Sequence, residues 1–227
     1  MNFPRGPRRG LRRRAPAQEG RGRPRAGRPA RPIGGVPCAA ACGVTNGERA
    51  VPTTPAVPDP AVDLDERRRL EALAAYAVVE AFDEPEFNDL VALVGDLLKA
   101  PVATIGVLDE SQEWFKARLG TDVRRIPREE SFARHLLAEP DAPLAVEDMT
   151  ADPRFATSAF VTGHPHFRSY LAVPVVSVDG TFLGTLEALD VVPRTWTERE
   201  IRHLRTLAQV LEAHLELRKF IRALAAA

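Results

Sequence analysis

Cysteine is scarce in this sequence, and both cysteines, Cys38 and Cys42, fall in its first fifth. Residues 61–227 contain none, which excludes an intradomain disulfide, a thiolate nucleophile and a thioether-linked chromophore there. The two cysteines have C-x-x-x-C spacing, with neither a second pair nor a nearby histidine, and this is a weak signal for metal binding. We therefore predict no metal site.

Lysine is absent from residues 1–60, and Phe3 is the single aromatic residue there. This segment instead holds twelve arginines, eleven of the 20 prolines and nine of the 15 glycines, against three acidic residues. Its charge of +9 is cancelled by −9 in residues 61–227, which gives the chain its net charge of zero. Because so little apolar surface is available to bury, we predict that residues 1–60 are disordered and that residues 61–227 form one domain.

Two interpretations of the arginine-rich segment stay open. Its arginines could neutralise the phosphates of nucleic acid or of another anionic surface. Nucleic acid is the less favoured partner, because no aromatic residues are interleaved for base stacking. Alternatively, the start codon is assigned too early in a GC-rich reading frame, and Val44 or Val51 is the true start.

Long apolar runs are also missing. The basic segment is not followed by the apolar stretch of a secretory signal. No run approaches the roughly 20 residues needed to span a bilayer. We therefore expect a soluble, cytoplasmic protein with no membrane partner.

Signatures of common catalytic sites are absent as well. The chain has no G-x-S-x-G, no glycine-rich phosphate loop and no clustered metal ligands. His164 and His166 flank Pro165, which favours a loop, and no third ligand follows at a recognised spacing. We predict that the protein is not an enzyme.

Two helices are predicted before residue 100. Asp63 followed by Glu66 resembles a capping box at the start of the first. Asp83 is the predicted cap of the second helix, which has a proline in its first turn. Phe82 and Phe87 are spaced for a hydrophobic staple at that cap.

Extended segments are predicted after residue 101. Residues 102–108 are apolar on both faces, as in a central strand that is covered on both sides. Alternation in residues 114–119 places Phe115, Ala117 and Leu119 on one face. The other predictions are a helix around 129–137, strands at 144–147, 170–176 and 181–189, and a hairpin turn at Asp179-Gly180.

The last helix has the clearest signals. Thr197 and Glu200 form a predicted capping box, and Trp196 and Ile201 are placed for a staple. Two apolar seams follow: Ile201, Leu204, Ala208, Leu211 and Leu215 in one, and Leu207, Val210, His214, Leu217, Ile221 and Leu224 in the other. Since one seam can pack on the domain and leave the other free, we predict a homodimer through the terminal helices. The alternative is that both seams are buried within one chain.

A succession of short motifs runs through the region from about Leu70 to Lys219. They are Phe87-Asn88-Asp89-Leu90, Pro101-Val102-Ala103, Asp109 with Gln112 to Lys116, Pro127-Arg128-Glu129-Glu130-Ser131-Phe132 with His135, Asp152-Pro153-Arg154-Phe155, Val161-Thr162-Gly163, Gly184-Thr185-Leu186, and Asp190 with Pro193-Arg194. In its order, this succession resembles a bacterial GAF domain of the type found alone or fused to histidine kinases and diguanylate cyclases. The resemblance implies a PAS-like α+β fold, in which a six-stranded antiparallel sheet has helices on both faces. It also implies a ligand cavity beneath the segment between the third strand and the last hairpin.

The chain departs from the family pattern at positions that bear on function. Ala133 and Glu187 stand where the family often has cysteine, which argues against thiol redox sensing and against the GAF-type methionine sulfoxide reductases. The missing attachment cysteine disfavours a bilin. Ser158-Ala159-Phe160 replaces a frequent Asn-Pro-Leu, which predicts a changed cavity lining. GAF domains bind cyclic nucleotides, tetrapyrroles, amino acids and other small molecules, so the cofactor or ligand is unknown.

Glu187 is the main candidate for ligand binding, since it shares a face of an otherwise apolar strand with Thr185 and Leu189. A buried carboxylate needs a partner or a raised pKa, and Arg168 and His135 are the predicted partners. The alternative is an edge or solvent-facing position for Glu187. Arg168, Ser169 and Tyr170 could hydrogen-bond an anionic or planar ligand. For His135 and Tyr170 the alternative to ligand binding is a purely structural role in the core.

These features together predict a non-enzymatic small-molecule sensor in signal transduction. The chain ends at Ala227, soon after the last helix, so we expect the signal to pass through a dimer or to a separate output protein. The alternative is a structural dimerisation module that binds no ligand. In that case Phe160, Tyr170 and Leu171 would fill the cavity. An enzyme of the same fold is the least favoured interpretation.

Overall fold

The computed structural model describes residues 60–76 and 84–225, with side chains from Asp65 onwards. Several predictions concern residues outside these ranges: the disorder of residues 1–60, of which Pro60 alone is described, the two cysteines, and the cap and staple at Asp83 and Phe82. Among the described residues, no helix is both long and apolar enough to cross a membrane.

Four helices and six strands make up the described part of the chain. The helices are α1 (Pro60–Tyr76), α2 (Pro85–Leu98), α3 (Ala159–Thr162) and α4 (Glu198–Ala225). The strands are β1 (Val102–Leu108), β2 (Gln112–Leu119), β3 (Arg125–Pro127), β4 (Leu144–Val146), β5 (Ser169–Val176) and β6 (Phe182–Asp190). Two 3-10 turns, Arg128–Glu130 and Ala133–Leu136, lie where one continuous helix was predicted, so that prediction was wrong.

The strands form one sheet in the order β3-β2-β1-β6-β5-β4, and every neighbouring pair is antiparallel. Strand β1 is central and all seven of its residues are buried, as its apolar sequence predicts. The predicted six-stranded antiparallel sheet of an α+β fold is confirmed.

The sheet separates two hydrophobic cores. On one face, α1, α2 and α4 pack against alternate residues of the central strands, such as Ile105 and Leu186. On the other face, α3, the second 3-10 turn and the connecting segments cover Val102, Tyr170 and Leu189. Only this second face is covered by short elements and loops within the described chain, and it carries the cavity described below.

A bulge in β2 changes the predicted pattern of that strand. Phe115 pairs with Gly106 while Ala117 pairs with Ile105, so Lys116 is the extra residue between them. Phe115 therefore joins the loop-covered core and Ala117 joins the helix-covered core. The prediction that they share a face was wrong, because simple alternation cannot register an inserted residue.

The starts of the first two helices also differ from prediction. Helix α1 begins at Pro60, so Asp63 is not its cap. Glu66 instead accepts hydrogen bonds from Arg69, at 2.7 and 2.8 Å, and from Arg128. Helix α2 has its N-cap at Glu84 and proline at its first position.

Helix α4 begins as predicted. Glu200 accepts hydrogen bonds from the Thr197 backbone N–H at 2.9 Å and from its hydroxyl at 2.7 Å, and the Glu200 N–H donates back to Thr197 Oγ1 at 3.2 Å. Leu204, Ala208, Leu211 and Leu215 of the first seam are buried. Each buried leucine contributes roughly 1.5–3 kcal/mol through the loss of apolar surface to water.

The second seam of α4 is largely exposed. Val210, Leu217, Ile221 and Leu224 each leave more than half of their surface accessible, whereas His214 packs its ring edge-on against Phe87. The alternative in which one chain buries both seams is therefore wrong for these four residues.

Candidate functional site

A cavity of about 500 Å³ lies on the loop-covered face of the sheet. Its floor is formed by β1, β2 and β6, and its walls come from the segment that follows β2 and from the region around α3. Most of the wall is apolar; it includes Phe115, Ile126, Phe132, Phe160, Phe167 and Leu189. This size and apolar lining are typical of pockets for small organic ligands.

Glu187 lies on the cavity floor and is 3% exposed. Its strand, β6, runs between β1 and β5, so the alternative of an edge or solvent-facing position is wrong. The side chain accepts three hydrogen bonds of 2.8 Å, from the hydroxyls of Thr104, Tyr170 and Thr185. A ring of hydroxyl donors, one from each of three adjacent strands, therefore holds the carboxyl group in place.

A second buried carboxyl, Glu113, lies on the same floor and is 1% exposed. It is within hydrogen-bonding reach of Glu187. Gly106 of β1 makes room for it: a Cβ on Gly106 would be 2.2 Å from Glu113 Oε1. Glu113 Oε1 has no donor at hydrogen-bonding distance and angle among the described residues, although the neighbouring Ser131 hydroxyl is close enough to lower the pKa of Glu113.

The two carboxyl groups differ in how their charges are supported. Burial, followed by the charge of Glu187, raises the pKa of Glu113 well above its usual value. Burial also raises the pKa of Glu187, but the hydroxyl donors stabilise its ionised form and oppose that rise. Glu113 is therefore the carboxyl that holds its proton to the higher pH, and the two neighbouring acids titrate as a pair.

Glu113 was not among the predicted site residues. A signal was present, since Glu113 is two residues before the apolar Phe115 in a strand and so shares its face. The opposing Gly106 could not be assigned from the sequence, because it requires the register between β1 and β2.

The predicted partners of Glu187 lie elsewhere. Arg168 donates two hydrogen bonds to Asp148, at 3.0 and 2.7 Å, and is absent from the cavity lining. The ring of His135 packs edge-on against Phe155, and burial lowers the pKa of this histidine. The prediction that either residue pairs with Glu187 was wrong, because Tyr170 and two threonines occupy that role.

Ser169 and Tyr170, the other two candidates, are buried and do not line the cavity. Tyr170 is fully buried and supports the floor through its hydrogen bond to Glu187. The hydroxyl of Ser169 has no partner among the described residues. Of the five residues predicted to bind ligand, Glu187 alone lines the cavity in the described structure.

The mouth of the cavity is more polar than its walls. Arg118, Asp122 and His164 line it, and Arg118 Nη1 donates to the Phe115 carbonyl at 3.4 Å. No group of three histidine, cysteine or acidic residues placed for a metal ion occurs within residues 60–76 and 84–225. Chemically, the site offers a buried carboxyl pair, aromatic walls and a charged rim.

Comparison with known proteins identifies relatives of this domain. Residues 84–215, more than half of the chain, match the sequence model of the GAF domain. The chain is 30% identical over 152 residues to a cyclic di-GMP phosphodiesterase of Pseudomonas aeruginosa; the match covers 66% of this chain and 26% of that protein. The chain thus spans about a quarter of that relative's length.

Solved structures share the fold at low sequence identity. The GAF domain of a phosphoenolpyruvate-protein phosphotransferase from Coxiella burnetii superposes with a TM-score of 0.52 at 19% identity, covering 72% of this chain and 98% of that one. A free methionine-R-sulfoxide reductase from Neisseria meningitidis, in complex with its substrate, superposes with a TM-score of 0.52 at 19% identity. The match covers 73% of this chain and 96% of the reductase chain.

The corresponding domain from Acinetobacter has a TM-score of 0.50 at 18% identity, covering 75% of this chain and 100% of that one. At such identities the likeness shows the fold alone. The sequence match, the sheet order and the cavity agree: this chain belongs to the GAF domain family, whose fold serves sensing and signalling.

Proposed function

We propose that this protein is a non-enzymatic sensor, which binds a small organic molecule in the cavity and transmits its presence through the terminal helices. The observation that carries the proposal is the cavity itself. It has a volume of about 500 Å³, aromatic walls and a polar floor whose two carboxyls are almost fully buried. A domain with no ligand would gain stability by filling such a space with side chains.

A non-enzymatic role is supported by the chemistry of the lining residues. Three hydroxyl donors hold Glu187, Glu113 lies beside it, and no thiol is among the lining residues. Ala133, which stands at one position where relatives often carry cysteine, is a buried alanine in a 3-10 turn. One structural neighbour is a methionine-R-sulfoxide reductase, and such reductase chemistry would require thiols, which residues 61–227 lack.

A route from the cavity to the first helix runs through the β1–β2 turn. Arg69 of α1 donates to the Leu108 carbonyl at 2.7 Å, and Arg128 donates to the Asp109 carbonyl at 2.9 Å. Both arginines also bind Glu66 of α1. A ligand that moves Glu113, four residues beyond Asp109, would therefore displace a turn that is clamped to α1.

Helix α1 is in turn connected to α4. The Tyr76 hydroxyl donates to Glu216, and Lys219 Nζ donates to Tyr76 at 3.2 Å. Glu216 also accepts from the Val178 backbone N–H at 3.0 Å, just after β5. These contacts provide a continuous path from the sheet to the helix that carries the exposed seam.

The exposed seam of α4 supports a homodimer as the form that transmits the signal. Leu217 and Ile221 are 57% and 54% exposed, and Phe220 and Leu224 beside them are each 62% exposed. Contiguous apolar surface of this kind marks interaction sites. The output would then come from the dimer or from a separate protein; an activity such as that named for the longer Pseudomonas relative would reside outside this domain. We place the protein in the cytoplasm.

Native mass spectrometry of gently purified protein tests the sensing proposal. We expect a co-purifying small molecule that is lost from the Val123→Trp variant, in which a larger side chain occupies the cavity wall. Val178→Trp, on an exposed turn, is the matched control and should retain the molecule. Retention of the molecule by Val123→Trp would show that it binds elsewhere and would contradict the proposal.

A structural dimerisation module is the second candidate, and the exposed α4 seam favours it independently of any ligand. Sedimentation of Ile221→Lys against Arg222→Lys, its exposed neighbour, tests the interface. Under either function Ile221→Lys should weaken the dimer. A dimer whose stability is unchanged by Val123→Trp, together with the absence of a bound molecule, would favour the module over the sensor.

A further inference from the structure

The acceptor capacity of the cavity floor exceeds the donors available to it. Each carboxyl group has two oxygens, which together accept up to about four hydrogen bonds. Glu187 receives three hydroxyl donors, whereas Glu113, which is 1% exposed, has the Ser131 hydroxyl nearby, and this hydroxyl makes no well-formed hydrogen bond to Oε1 in the described structure. An unpaired buried acceptor destabilises the ligand-free site, so a ligand that donates to it binds more tightly.

Among the described residues, no lysine or arginine acts on the pKa of Glu113. The titratable groups that face Glu113 are Glu187 on β6 and Tyr170 on β5, and neither carries positive charge. Lys116 of β2 is directed to the other side of the sheet, where it lies over Trp114 and is influenced by Glu84 and Asp109. Arg118, Asp122 and His164 are at the mouth of the cavity, and they do not contribute to the pKa of Glu113.

The walls above the floor are suited to the apolar part of a ligand. Phe115, Phe132, Phe160 and Phe167 all line the cavity together with Ile126. Aromatic faces attract a cation as well as an apolar body. An anionic group, in contrast, would meet two acidic side chains and would have to be desolvated beside them.

We propose that the cavity takes a small organic cation, whose protonated nitrogen group donates at least two N–H bonds to the paired carboxyls of Glu113 and Glu187 while its apolar body lies against the phenylalanine walls. This inference rests on the proposed sensing function and names its ligand class. Amidinium, guanidinium and primary ammonium groups share this chemistry.

Binding of such a cation is coupled to the release of a proton. Without ligand, Glu113 keeps its proton because burial and the neighbouring carboxylate disfavour its ionised form. The cation replaces that proton between the two carboxyls, and the proton leaves to solvent, so the net charge of the floor and its occupant is unchanged. The apparent affinity therefore rises with pH, by about tenfold per pH unit below the pKa of the pair.

Isothermal titration calorimetry of the full chain with three probes of nearly equal shape tests this assignment. Benzamidinium is a cation, benzamide is neutral and benzoate is an anion. We expect benzamidinium to bind at least tenfold more tightly than benzamide and benzoate to bind least. Titrations in buffers of different ionisation enthalpy should show about one proton released per benzamidinium bound.

Variants locate the effect on the carboxyl pair. Glu113→Gln, which keeps the shape of the side chain, should weaken benzamidinium at least tenfold and abolish proton release. Glu110→Gln, on the exposed β1–β2 turn, is the matched control and should bind like the natural protein. Circular dichroism confirms that each variant is folded; Val123→Trp, which leaves both carboxyls intact, gives an independent loss of binding if Glu113→Gln does not fold.

The outcomes separate this inference from the sensing function. If benzamide or benzoate binds as tightly as benzamidinium, and Val123→Trp removes that binding, the cavity is a ligand site but the cationic class is wrong. Benzamidinium binding without proton release, or unaffected by Glu113→Gln, also overturns the inference. If no probe binds at about 10 mM, the cationic class is wrong, and native mass spectrometry then decides independently whether the cavity holds another molecule.

Discussion

Replacing Glu113 with glutamine should stabilise the ligand-free domain, and the gain should grow as the pH rises. Glu113 is 1% exposed, and its pKa is raised well above the usual value by burial and by Glu187. The folded protein therefore holds a proton that the unfolded chain releases above about pH 4.5. This contribution to stability is fully present below the pKa of the unfolded state and is lost as the pH rises through the folded pKa.

The size of the effect follows from the number of protons involved. A difference of one bound proton changes the free energy of unfolding by about 1.4 kcal/mol per pH unit. Between the pKa of the unfolded state and that of the folded state, the natural protein should therefore lose this amount relative to Glu113→Gln for each pH unit. Glu187 keeps its own raised pKa in the variant, so a residual dependence on pH remains there.

Urea denaturation followed by tryptophan fluorescence measures this difference, because Trp114 and Trp196 both lie in the described fold. Comparison of two proteins at each pH removes the contributions of groups that they share. Glu110→Gln controls for the loss of one acidic side chain at an exposed position. A difference between Glu113→Gln and the natural protein that stays constant with pH would refute the assignment of a protonated carboxyl in the folded state.

Other predictions concern the helices. Glu66→Gln should destabilise the domain by about 1–2 kcal/mol at neutral pH, allowing for solvent screening, because two arginines lower the pKa of Glu66 to about 2. In urea titrations this loss of stability should shrink as the pH falls from about 4.5 towards 2. Glu71→Gln, at an exposed position, is the control and should not show this loss. Leu211→Ala in the buried seam should cost about 2–5 kcal/mol, while the adjacent, exposed Val210→Ala should change the unfolding free energy by less than about 0.5 kcal/mol; equal costs would contradict the assignment of the seams. Thr197→Ala should cost about 0.5–2 kcal/mol through loss of the cap, and a thermal midpoint equal to that of the natural protein would show that the cap contributes nothing.

The elements that followed from the sequence are those governed by neighbouring residues. The capping box at Thr197 needs contacts across three residues, and the continuous apolar run of β1 identifies a central strand without reference to any partner. Strands β5 and β6 differ from their predicted ranges by one residue at the ends. The fold as a whole came from the order of motifs that resemble the GAF family.

The errors arose where a local signal competes with a distant contact. Asp63 and Glu66 have the spacing of a capping box, but Glu66 binds Arg128, 62 residues away, and the helix begins earlier. Arg168 is a suitable partner for a buried acid, yet the carboxylate of Asp148 lies within 2.7 Å of it. Charge complementarity in a sequence identifies possible pairs, but chain geometry selects among them.

The sequence by itself determined the class of the protein, the order of its main elements and the candidacy of Glu187, because periodicity, caps and a polar residue in an apolar strand are properties of short segments. Only the tertiary structure decided that Glu113 is the second carboxyl of the site. That pairing depends on the bulge in β2 and on the space above Gly106, which bring side chains 74 positions apart in the chain onto one cavity floor. Contacts between strands are set by register, and register is decided only when the sheet is assembled.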